Sequence, residues 1–460
     1  MSKTIIIIGA GLAGLSAALQ AAENGCNVKL VSSLPSERAQ SVMAEGGINA
    51  ALNTKDENDS PEEHFTDTIK AACGLADPNA VWGMTQAAPE LVHWLLKLGV
   101  KFNMSGYDDV DLRNFGGQKK KRTAFAQSDT GKQIMTAMID AVRRKEASGM
   151  VERFSHHSFL TLRLCGNICC GCVIRDEYSQ ETVELPGDAV IVATGGMHGL
   201  FGNTTGSLSN TGEVTAELFR LGVPLANGEM IQYHPTTVKC GGKRMLISEA
   251  ARGEGGRLFA MKDGKQWYFM EEKYPELGNL MPRDITAREI WKVSHESEVF
   301  LDMTEISEEI ISNKLSGLAD DCMTYLHKDI RKEPVSVLPG IHYFMGGILV
   351  DEQHRTPIQN LYAAGECCAQ YHGANRLGGN SLLGALYGGR VAAKSACEQA
   401  DVVDLSCATQ IDFPPASQIS EIKQLNKVMQ ETMGVVRNEN TLLNGIQTVQ
   451  ALTGNLPLLG

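Results

Sequence analysis

The sequence predicts an α/β fold with a parallel sheet, and three observations lead to this prediction. A short apolar run at residues 4–8 is typical of a strand that is buried on both faces. The pattern Gly-x-Gly-x-x-Gly follows at once at residues 9–14, and a helical segment and a second apolar strand at residues 27–32 come next. A further buried strand at residues 189–194 runs into two glycines. This order predicts a βαβ unit of a dinucleotide-binding, Rossmann-like sheet.

The glycines of the first turn explain why the pattern indicates dinucleotide binding. Gly9, Gly11 and Gly14 permit a tight turn and let a pyrophosphate approach the N-terminus of the following helix. An acidic residue commonly ends the second strand and binds the ribose, but Ser32 stands there in this chain. The ribose contact is therefore not the common carboxylate, and this motif alone does not separate FAD from NAD.

Length and composition narrow the classes of protein to consider. A chain of 460 residues predicts two or three domains. The net charge of −12 argues against nucleic acid or an anionic membrane as the main partner. No apolar run is long enough for a transmembrane helix, and no signal peptide precedes the first strand, so we expect a cytoplasmic protein without direct membrane insertion. Twelve cysteines scattered over such a length suit reduced thiols.

The middle of the chain offers weaker patterns. Residues 88–98 and 130–144 have helical spacing, whereas residues 53–67 are rich in Asp, Glu and Asn and predict an irregular passage. The three lysines of the basic run at 119–122 favour a solvated loop. Four cysteines at 165–172 invite a metal site, but a closed site needs separated Cys-x-x-Cys pairs, so the pattern favours a β-hairpin turning at Gly166-Asn167.

One stretch near the end of the core, residues 372–382, places Arg376 among glycines and side-chain amides. A lone arginine in such a loop suits a carboxylate or phosphate held in two-point contact. The same residues are also consistent with a glycine-rich loop whose arginine is solvated, and this stretch alone leaves both interpretations open.

Several motifs together resemble the flavoprotein subunits of fumarate reductase and succinate dehydrogenase and their relative L-aspartate oxidase, over roughly residues 4–445. Besides the glycine turn, they are Ala-Glu-Gly-Gly at 44–47, Ala-Thr-Gly-Gly at 193–196, Gln-Tyr-His-Pro-Thr at 232–236, Glu-Ala-Ala-Arg-Gly-Glu-Gly-Gly at 249–256, Pro-Arg-Asp at 282–284, His-Tyr-Phe-Met-Gly-Gly at 342–347, Ala-Gly-Glu at 364–366, and the stretch around Arg376.

The resemblance implies a Rossmann-like FAD-binding domain that is interrupted by an α+β capping domain. The implied boundaries are 1–227 and 341–400 for the FAD-binding domain, 228–340 for the capping domain, and 401–460 for the start of a C-terminal helical domain with helical patterns at 417–434 and 440–452. The residues that would bind FAD are Gly9, Gly11, Gly14, Ser32, Ser41, Glu45, Gly46, Gly47, Thr194, Gly195, Glu213, Glu366, Ser381 and Leu382. Glu213 stands where the family usually has aspartate.

The resemblance also implies a reaction. It is hydride transfer between flavin N5 and a C4 dicarboxylate such as fumarate, with an arginine as proton donor. Arg283 would be that donor, and Glu249 and Arg252 would relay protons to it. The substrate carboxylates would be bound by His234, Ser248, His342 and Arg376, with Phe115 also lining the substrate site.

Two departures from the family refine these expectations. Members with covalently bound flavin carry a histidine at the position of Gln40, so we expect non-covalent FAD and, as a hypothesis, a lower flavin potential that favours fumarate reduction. L-aspartate oxidases, which act in quinolinate and NAD biosynthesis, have glutamate at the position of Phe115, and an apolar ring offers no partner for a buried substrate ammonium.

Three alternatives stay open beside a fumarate reductase or succinate dehydrogenase flavoprotein. They are L-aspartate oxidase, a reductase of another acrylate-like acid, and an electron-transfer subunit without dicarboxylate chemistry. The chain contains no haem or iron–sulfur motif, so electrons must come from an iron–sulfur subunit or another donor. Such partners would place the protein at the inner face of the membrane as a peripheral subunit.

Overall fold

The computed structural model describes residues 2–106, 109–401 and 422–452. Its strands are β1 (Thr4–Ile8), β2 (Asn27–Ser32), β3 (Ile48–Asn49), β4 (Leu112–Arg113), β5 (Thr123–Ala124), β6 (Val151–Ser155), β7 (His157–Cys165), β8 (Ile168–Asp176), β9 (Thr182–Pro186), β10 (Ala189–Val192), β11 (Leu225–Ala226), β12 (Ile231–Cys240), β13 (Lys243–Leu246), β14 (Arg257–Lys262), β15 (Lys265–Trp267), β16 (Val299–Asp302), β17 (Val335–Ser336), β18 (Leu338–Phe344), β19 (Gly347–Leu349), β20 (Leu361–Ala363) and β21 (Cys368–Ala369). Its helices are α1 (Leu12–Glu23), α2 (Pro61–Ala71), α3 (Pro78–Lys97), α4 (Thr130–Ala147), α5 (Glu213–Arg220), α6 (Glu249–Gly253), α7 (Phe269–Lys273), α8 (Arg283–Val293), α9 (Glu308–Lys314), α10 (Ser316–Asp321), α11 (Asn380–Gln399), α12 (Ile422–Thr432) and α13 (Glu439–Leu452).

The described residues divide into two compact units. The first unit contains residues up to 195, residues 213–230 and residues 344–401, and the second contains residues 196–212, 231–343 and 422–452. The expected capping segment, 228–340, lies mostly in the second unit, which also takes up residues 196–212. The assignment of these parts as FAD-binding and capping domains stays a prediction.

The first unit is built on a parallel sheet, which confirms the predicted α/β fold. Its strand order is β20-β10-β1-β2-β6, and every pairing in it is parallel. The four isoleucines at 5–8 are at most 4% exposed, because Ile5 and Ile7 pack with residues of α1 and α11, whereas Ile6 and Ile8 pack with residues of strands β7 to β9. This burial explains why the first strand is apolar throughout instead of alternating.

Helices α1 and α11 pack closely against each other in this unit. The hydroxyl of Ser16 donates to the carbonyl oxygen of Leu386 at 2.7 Å. A Cβ added at Gly389 would lie 2.3 Å from the carbonyl oxygen of Ala13, so the backbones approach too closely for any side chain there. The contact fixes the N-terminal turn of the first helix relative to the helix that follows Arg376.

The second unit contains two small sheets and short helices. One sheet has the order β13-β12-β18 and the other β15-β14-β16-β17. Helix α8 packs against β12 in the same unit. These elements bring residues that are far apart in the sequence, near 234, 249, 283 and 342, into one sub-structure.

Local predictions are confirmed in most places, with one correction. The hairpin β7–β8 turns at Gly166-Asn167 as expected, and the helices predicted at 88–98 and 130–144 lie in α3 and α4. The irregular passage expected at 53–67 is wrong in its second half, because α2 begins at Pro61. Ser60 caps this helix by accepting from the backbone N–H of Glu63, and proline suits the first helical position.

The basic run at 119–122 is divided between surface and core. Lys119 and Lys121 are exposed, in agreement with a solvated loop, but Arg122 is fully buried. Its guanidinium contacts Asp59 at 2.8 Å and Asp67 at 3.0 Å. Two carboxylates on either side neutralise a charge that could not otherwise be buried.

The C-terminal helical patterns correspond to α12 and α13, whereas the predicted start at 417–421 lies outside the described residues. Ten cysteines are free thiols in the described ranges, and Cys169 and Cys172 of the hairpin belong to the hydrophobic core. Within those ranges no helix combines the length and the hydropathy needed to cross a bilayer.

Candidate active site

The second unit gathers a buried ion-pair group around Glu249. Nε and Nη2 of Arg283 lie 2.8 Å and 2.6 Å from one carboxylate oxygen of Glu249, and Nη2 of Arg252 lies 3.5 Å from the other. All three residues are at most 6% exposed. Two guanidinium groups therefore share one carboxylate in a dry environment, which leaves a surplus positive charge when Glu249 is ionised.

Local structure explains how these side chains converge. Ser248 caps α6 through its hydroxyl, which accepts from the N–H of Ala250, so Glu249 and Arg252 share one helical turn and one face. Arg283 is the first residue of α8 and follows Pro282. Arg252 is further tied down because its Nη1 donates to the carbonyl oxygen of Asn279 at 2.6 Å.

Gln232 fixes the remaining edge of Arg283. Its side-chain oxygen accepts from Nη1 of Arg283 at 3.0 Å. Gln232 lies on β12, two residues before His234, so both side chains point to the same face of the strand. The orientation of Arg283 is thus set by a carboxylate on one side and an amide on the other.

His234 presents one buried nitrogen without a partner. Nδ1 lies 3.1 Å from the carbonyl oxygen of Thr236, while Nε2 is buried and has no hydrogen bond to any described residue. Buried polar atoms without a partner are rare, and a functional ligand is one of their explanations. The ring of His342 lies against His234, with centroids 5.1 Å apart in an edge-to-face arrangement.

His342 is oriented from its other side. Its Nδ1 lies 2.8 Å from the hydroxyl of Thr205, and Thr204 next to it donates to the carbonyl oxygen of Ile341. Residues 196–212 therefore belong to the support of this site, which explains why they group with the second unit.

The electrostatics of the group favour an anionic ligand. Burial, and then the charges of Arg283, His342 and Arg252, hold the pKa of His234 well below its usual value. Burial also lowers the pKa of Arg252, although Glu249 acts in the opposite direction. An anion placed here would offset the repulsion between the neighbouring positive charges, which adds to the effect of burial in both groups.

The candidate FAD residues of the first unit lie at the carboxyl ends of neighbouring parallel strands. Gly9 follows β1, Ser32 ends β2, Thr194 follows β10, and Glu366 follows β20. Ligands of open α/β sheets bind at this edge. Glu366 also accepts from the backbone N–H of Phe344 at 3.0 Å.

The glycine turn has the shape that a pyrophosphate requires. A Cβ on Gly14 would lie 1.8 Å from the carbonyl oxygen of Gly9, whereas one on Gly11 would meet nothing closer than the hydroxyl of Ser41 at 3.6 Å. The hydroxyl of Ser41 accepts from the N–H of Leu12, the first residue of α1. The hydroxyl of Ser32 is buried without a hydrogen-bond partner among the described residues, as a ribose ligand would need. The residues present at this turn are therefore suited to bind FAD.

Phe115 lies against the second glycine turn. A Cβ added to Gly46 would come within 3.0 Å of the phenyl ring, which is only 1% exposed. Gly47, next in the turn, has a φ of 132° and leaves no room for a Cβ beside the carbonyl oxygen of Ala124. The turn that carries Glu45 is therefore packed directly on this ring.

Arg376 is buried in the first unit, on a loop that is supported from behind. Its exposed fraction is 2%. The carbonyl oxygen of Gly378 accepts from Asn49 at 2.8 Å and from Gln118 at 2.7 Å. The side-chain oxygen of Asn380 accepts from Asn49 at 2.7 Å and lies 2.9 Å from Nε2 of His64. The solvated-loop reading is therefore wrong for this arginine.

The structure brings six of the predicted residues together in the second unit, namely His234, Ser248, Glu249, Arg252, Arg283 and His342. Phe115, Arg376 and the candidate FAD residues belong to the first unit. Four supporting residues were missed at the sequence level, namely Gln232, Thr205, Asn49 and His64. Gln232 belongs to the motif at 232–236, so the sequence could have indicated its role. The other three lie far in sequence from the residues that they contact, so only the fold reveals these contacts.

Comparisons with known proteins give a consistent result. A family model described as FAD binding domain matches residues 4–382. The succinate dehydrogenase flavoprotein subunit of Bacillus subtilis is 40% identical to this chain. The alignment covers 99% of this chain and 79% of the relative. L-aspartate oxidase of Streptomyces coelicolor is 32% identical, with 98% of this chain and 80% of the relative covered. The solved structure of an E. coli quinol fumarate reductase FrdA chain superposes with a TM-score of 0.88 at 27% identity. The match covers all of this chain and 84% of the FrdA chain.

Proposed function

This chain belongs to the FAD-binding family of succinate dehydrogenase and fumarate reductase flavoprotein subunits, and we propose that it interconverts fumarate and succinate with Arg283 as the proton donor. It is a FAD-dependent oxidoreductase of this family. FAD, when bound, supplies or accepts the hydride. The remaining tasks, which are binding the dicarboxylate and moving the proton, fall to residues of this chain.

The observation that carries the proposal is the buried Arg283–Glu249–Arg252 group. A guanidinium is a weak acid in water, so an arginine can donate a proton only in a dry site with a nearby base to restore it. Glu249 lies 2.6 Å from Arg283 Nη2, close enough to return the proton, and Arg252 continues the chain at 3.5 Å. The Gln232 contact keeps Nη1 of Arg283 in a fixed orientation, as a transfer over a short distance requires.

The substrate carboxylates are assigned to residues that carry positive charge or hydrogen-bond donors. We assign one carboxylate to His234 and Ser248, because Nε2 of His234 is buried without a hydrogen-bond partner among the described residues. For the other carboxylate we propose His342 of the second unit, and we propose Arg376 as a carboxylate-binding residue of the first unit. A carboxylate beside His234 would act against the effect of the neighbouring positive charges, which lower the pKa of that ring.

We further propose that FAD is held without a covalent bond, because Gln40 stands at the position of the flavinylated histidine and an amide cannot supply the ring nitrogen. FAD should be held by the glycine turn, Ser32, Ser41, Thr194 and Glu366, and by the residues after Gly379. Acid precipitation checks this point. Yellow colour should stay in the supernatant, and colour retained in the pellet would show that the bond is covalent.

The electron donor is proposed to be a separate protein, such as an iron–sulfur subunit. Relatives in this family are named as subunits, among them the B. subtilis succinate dehydrogenase flavoprotein. Such a partner would place the protein on the cytoplasmic face of a membrane without inserting this chain. Reduction of the purified flavoprotein by a reconstituted iron–sulfur partner, but not by that partner after cluster removal, would support the assignment.

L-aspartate oxidase is the second candidate, because a relative with that name aligns over nearly the whole chain. Phe115 argues against it. The ring is buried and packs on Gly46, and it offers no acceptor for a substrate ammonium. The same features do not separate fumarate from other acrylate-like acids, so these belong in the substrate panel.

Steady-state assays test the proposal. The wild-type holoprotein should reduce fumarate with reduced viologen as donor and should produce no peroxide from L-aspartate and O2. Arg288→Ala provides a matched control, because Arg288 is an exposed arginine on the same helix α8, with 48% of its side chain accessible. Arg283→Ala should lose activity while Arg288→Ala keeps it. Brisk aspartate oxidation, or activity retained in Arg283→Ala, would overturn the proposal.

A further inference from the structure

Two thiols from opposite ends of the chain face each other in the first unit. The sulfur atoms of Cys26 and Cys397 lie 3.0 Å apart, although 371 positions separate the residues in the sequence. A disulfide has an S–S distance of about 2.05 Å, so closure requires an approach of only about 1 Å. No catalytic or cofactor role assigned above uses either residue.

Secondary structure holds both residues in place. Cys26 lies between α1 and β2, and its backbone N–H donates to the carbonyl oxygen of Ala21 at 3.0 Å. Cys397 lies in the last turn of α11, which packs closely on α1. The two thiols therefore face each other because two packed helices end side by side.

The two thiols differ in access. Cys26 is 5% exposed, whereas Cys397 is only partly buried. The ammonium of Lys3 donates to the carbonyl oxygen of Cys397 at 2.7 Å, and its positive charge offsets only part of the rise that burial causes in the pKa of the more accessible thiol. Cys397 is thus suited to react first with a reagent in solution, and Cys26 is suited to resolve the product.

We propose that Cys26 and Cys397 form a redox modification site that takes a small soluble disulfide as its reactant. The thiolate of Cys397 attacks one sulfur of that disulfide, whose S–S bond breaks and releases one small thiol. The thiolate of Cys26 then attacks the sulfur of Cys397 and releases the second small thiol. Two protein thiols are oxidised to one disulfide, one small disulfide is reduced to two thiols, and the two protons pass to the leaving thiolates.

The cross-link would join the C-terminal ends of two helices whose N-terminal ends carry the candidate FAD residues. Helix α1 begins at the glycine turn, and α11 begins directly after Gly379. Release of FAD needs local opening of this region, and a bond between α1 and α11 makes open states rarer. The site therefore acts on cofactor retention and does not depend on the identity of the substrate.

The chemistry has a predictable pH dependence. Burial, together with the neighbouring thiol of Cys26, raises the pKa of Cys397 to about 12. Because the thiolate is the reacting species, the rate of oxidation should rise about tenfold per pH unit between pH 7 and pH 9.

Peptide mapping of the FAD-loaded full chain after treatment with glutathione disulfide tests the proposal. Wild type should yield a peptide that links Cys26 to Cys397. Cys26→Ser should instead accumulate glutathione on Cys397, because the resolving thiol is gone. Cys73→Ser is the matched control, since Cys73 is an exposed thiol elsewhere in the unit, and it should leave the cross-link unchanged. A stable glutathione adduct on Cys397 in wild type, or an unreacted Cys397 while Cys73 is modified, would overturn it.

Release of FAD into mild denaturant gives a second readout that needs no turnover. Flavin fluorescence should appear several-fold more slowly from the cross-linked wild type than from the reduced protein, and a dithiol reductant should restore the faster rate. Cys397→Ser should release FAD at the same rate with and without glutathione disulfide. Equal rates for cross-linked and reduced wild type would show that the thiol pair is not linked to cofactor retention.

Discussion

Replacing His64 with glutamine should remove an acid-sensitive part of the stability of the first unit. His64 is fully buried, and its Nε2 lies 2.9 Å from the side-chain oxygen of Asn380, at the start of α11. Burial, and then the charge of Arg122, lowers the pKa of His64 to about 3. The ring is therefore neutral in the folded protein across the physiological range.

The sign and size of the effect follow from this pKa. Above the ordinary histidine value of about 6.5, the ring is neutral in both the folded and the unfolded chain. As the pH falls below that value, His64 becomes protonated in the unfolded chain but stays neutral in the folded chain. The free energy of unfolding therefore decreases until the pH reaches about 3. Between pH 7 and pH 5, this single group should lower the free energy of unfolding by about 2 kcal/mol.

Urea unfolding at pH 7 and pH 5 measures this contribution. His64→Gln keeps an amide donor for Asn380 but does not titrate, so its stability should fall by about 2 kcal/mol less than that of wild type over this interval. His93→Gln, at an exposed position, should follow wild type. Equal losses in wild type and His64→Gln would refute the reasoning, because they would mean that the folded chain protonates His64 as readily as the unfolded chain does.

Three further predictions concern the same scaffold. Asp59→Asn should lower the free energy of unfolding by about 3–5 kcal/mol in urea titrations, because the fully buried Arg122 loses one of its two carboxylate partners. Gly14→Ala should abolish FAD retention through spin columns, since the added Cβ would lie 1.8 Å from a carbonyl oxygen, while Gly228→Ala, with nothing within 4 Å, should retain FAD. Gln232→Ala should lower kcat about 10–100-fold with little change in KM in fumarate assays, because it frees one edge of the proton donor.

Much of the fold could be predicted from local sequence because its central strands are buried on both faces. Strands β1 and β2 begin and end at the predicted residues, and Gly9 and Gly14 occupy positions where only glycine fits. The helix at Pro61 was missed because its acidic composition resembled a loop, although Ser60 and Pro61 together form a recognisable helix start.

The candidate site was predictable in its residue types but not in its geometry. The motif around Glu249 gave the helical face it shares with Arg252, because that relation is local. The contact between Glu249 and Arg283 joins residues 34 positions apart and depends on how α6 and α8 pack. The burial of Arg122 was equally inaccessible, since a run of four basic residues gives no sign that one of them meets two aspartates in the core.

The central claim is that Arg283 delivers the proton when fumarate is reduced. Single-turnover oxidation of the photoreduced flavoprotein by fumarate, followed anaerobically by flavin absorbance with succinate quantified at the end, tests it most directly. We expect wild type and Arg288→Ala to regain oxidised flavin in step with stoichiometric succinate, and Arg283→Ala to stay reduced. Wild-type flavin that fumarate does not oxidise, or Arg283→Ala that oxidises at the wild-type rate, would contradict the account.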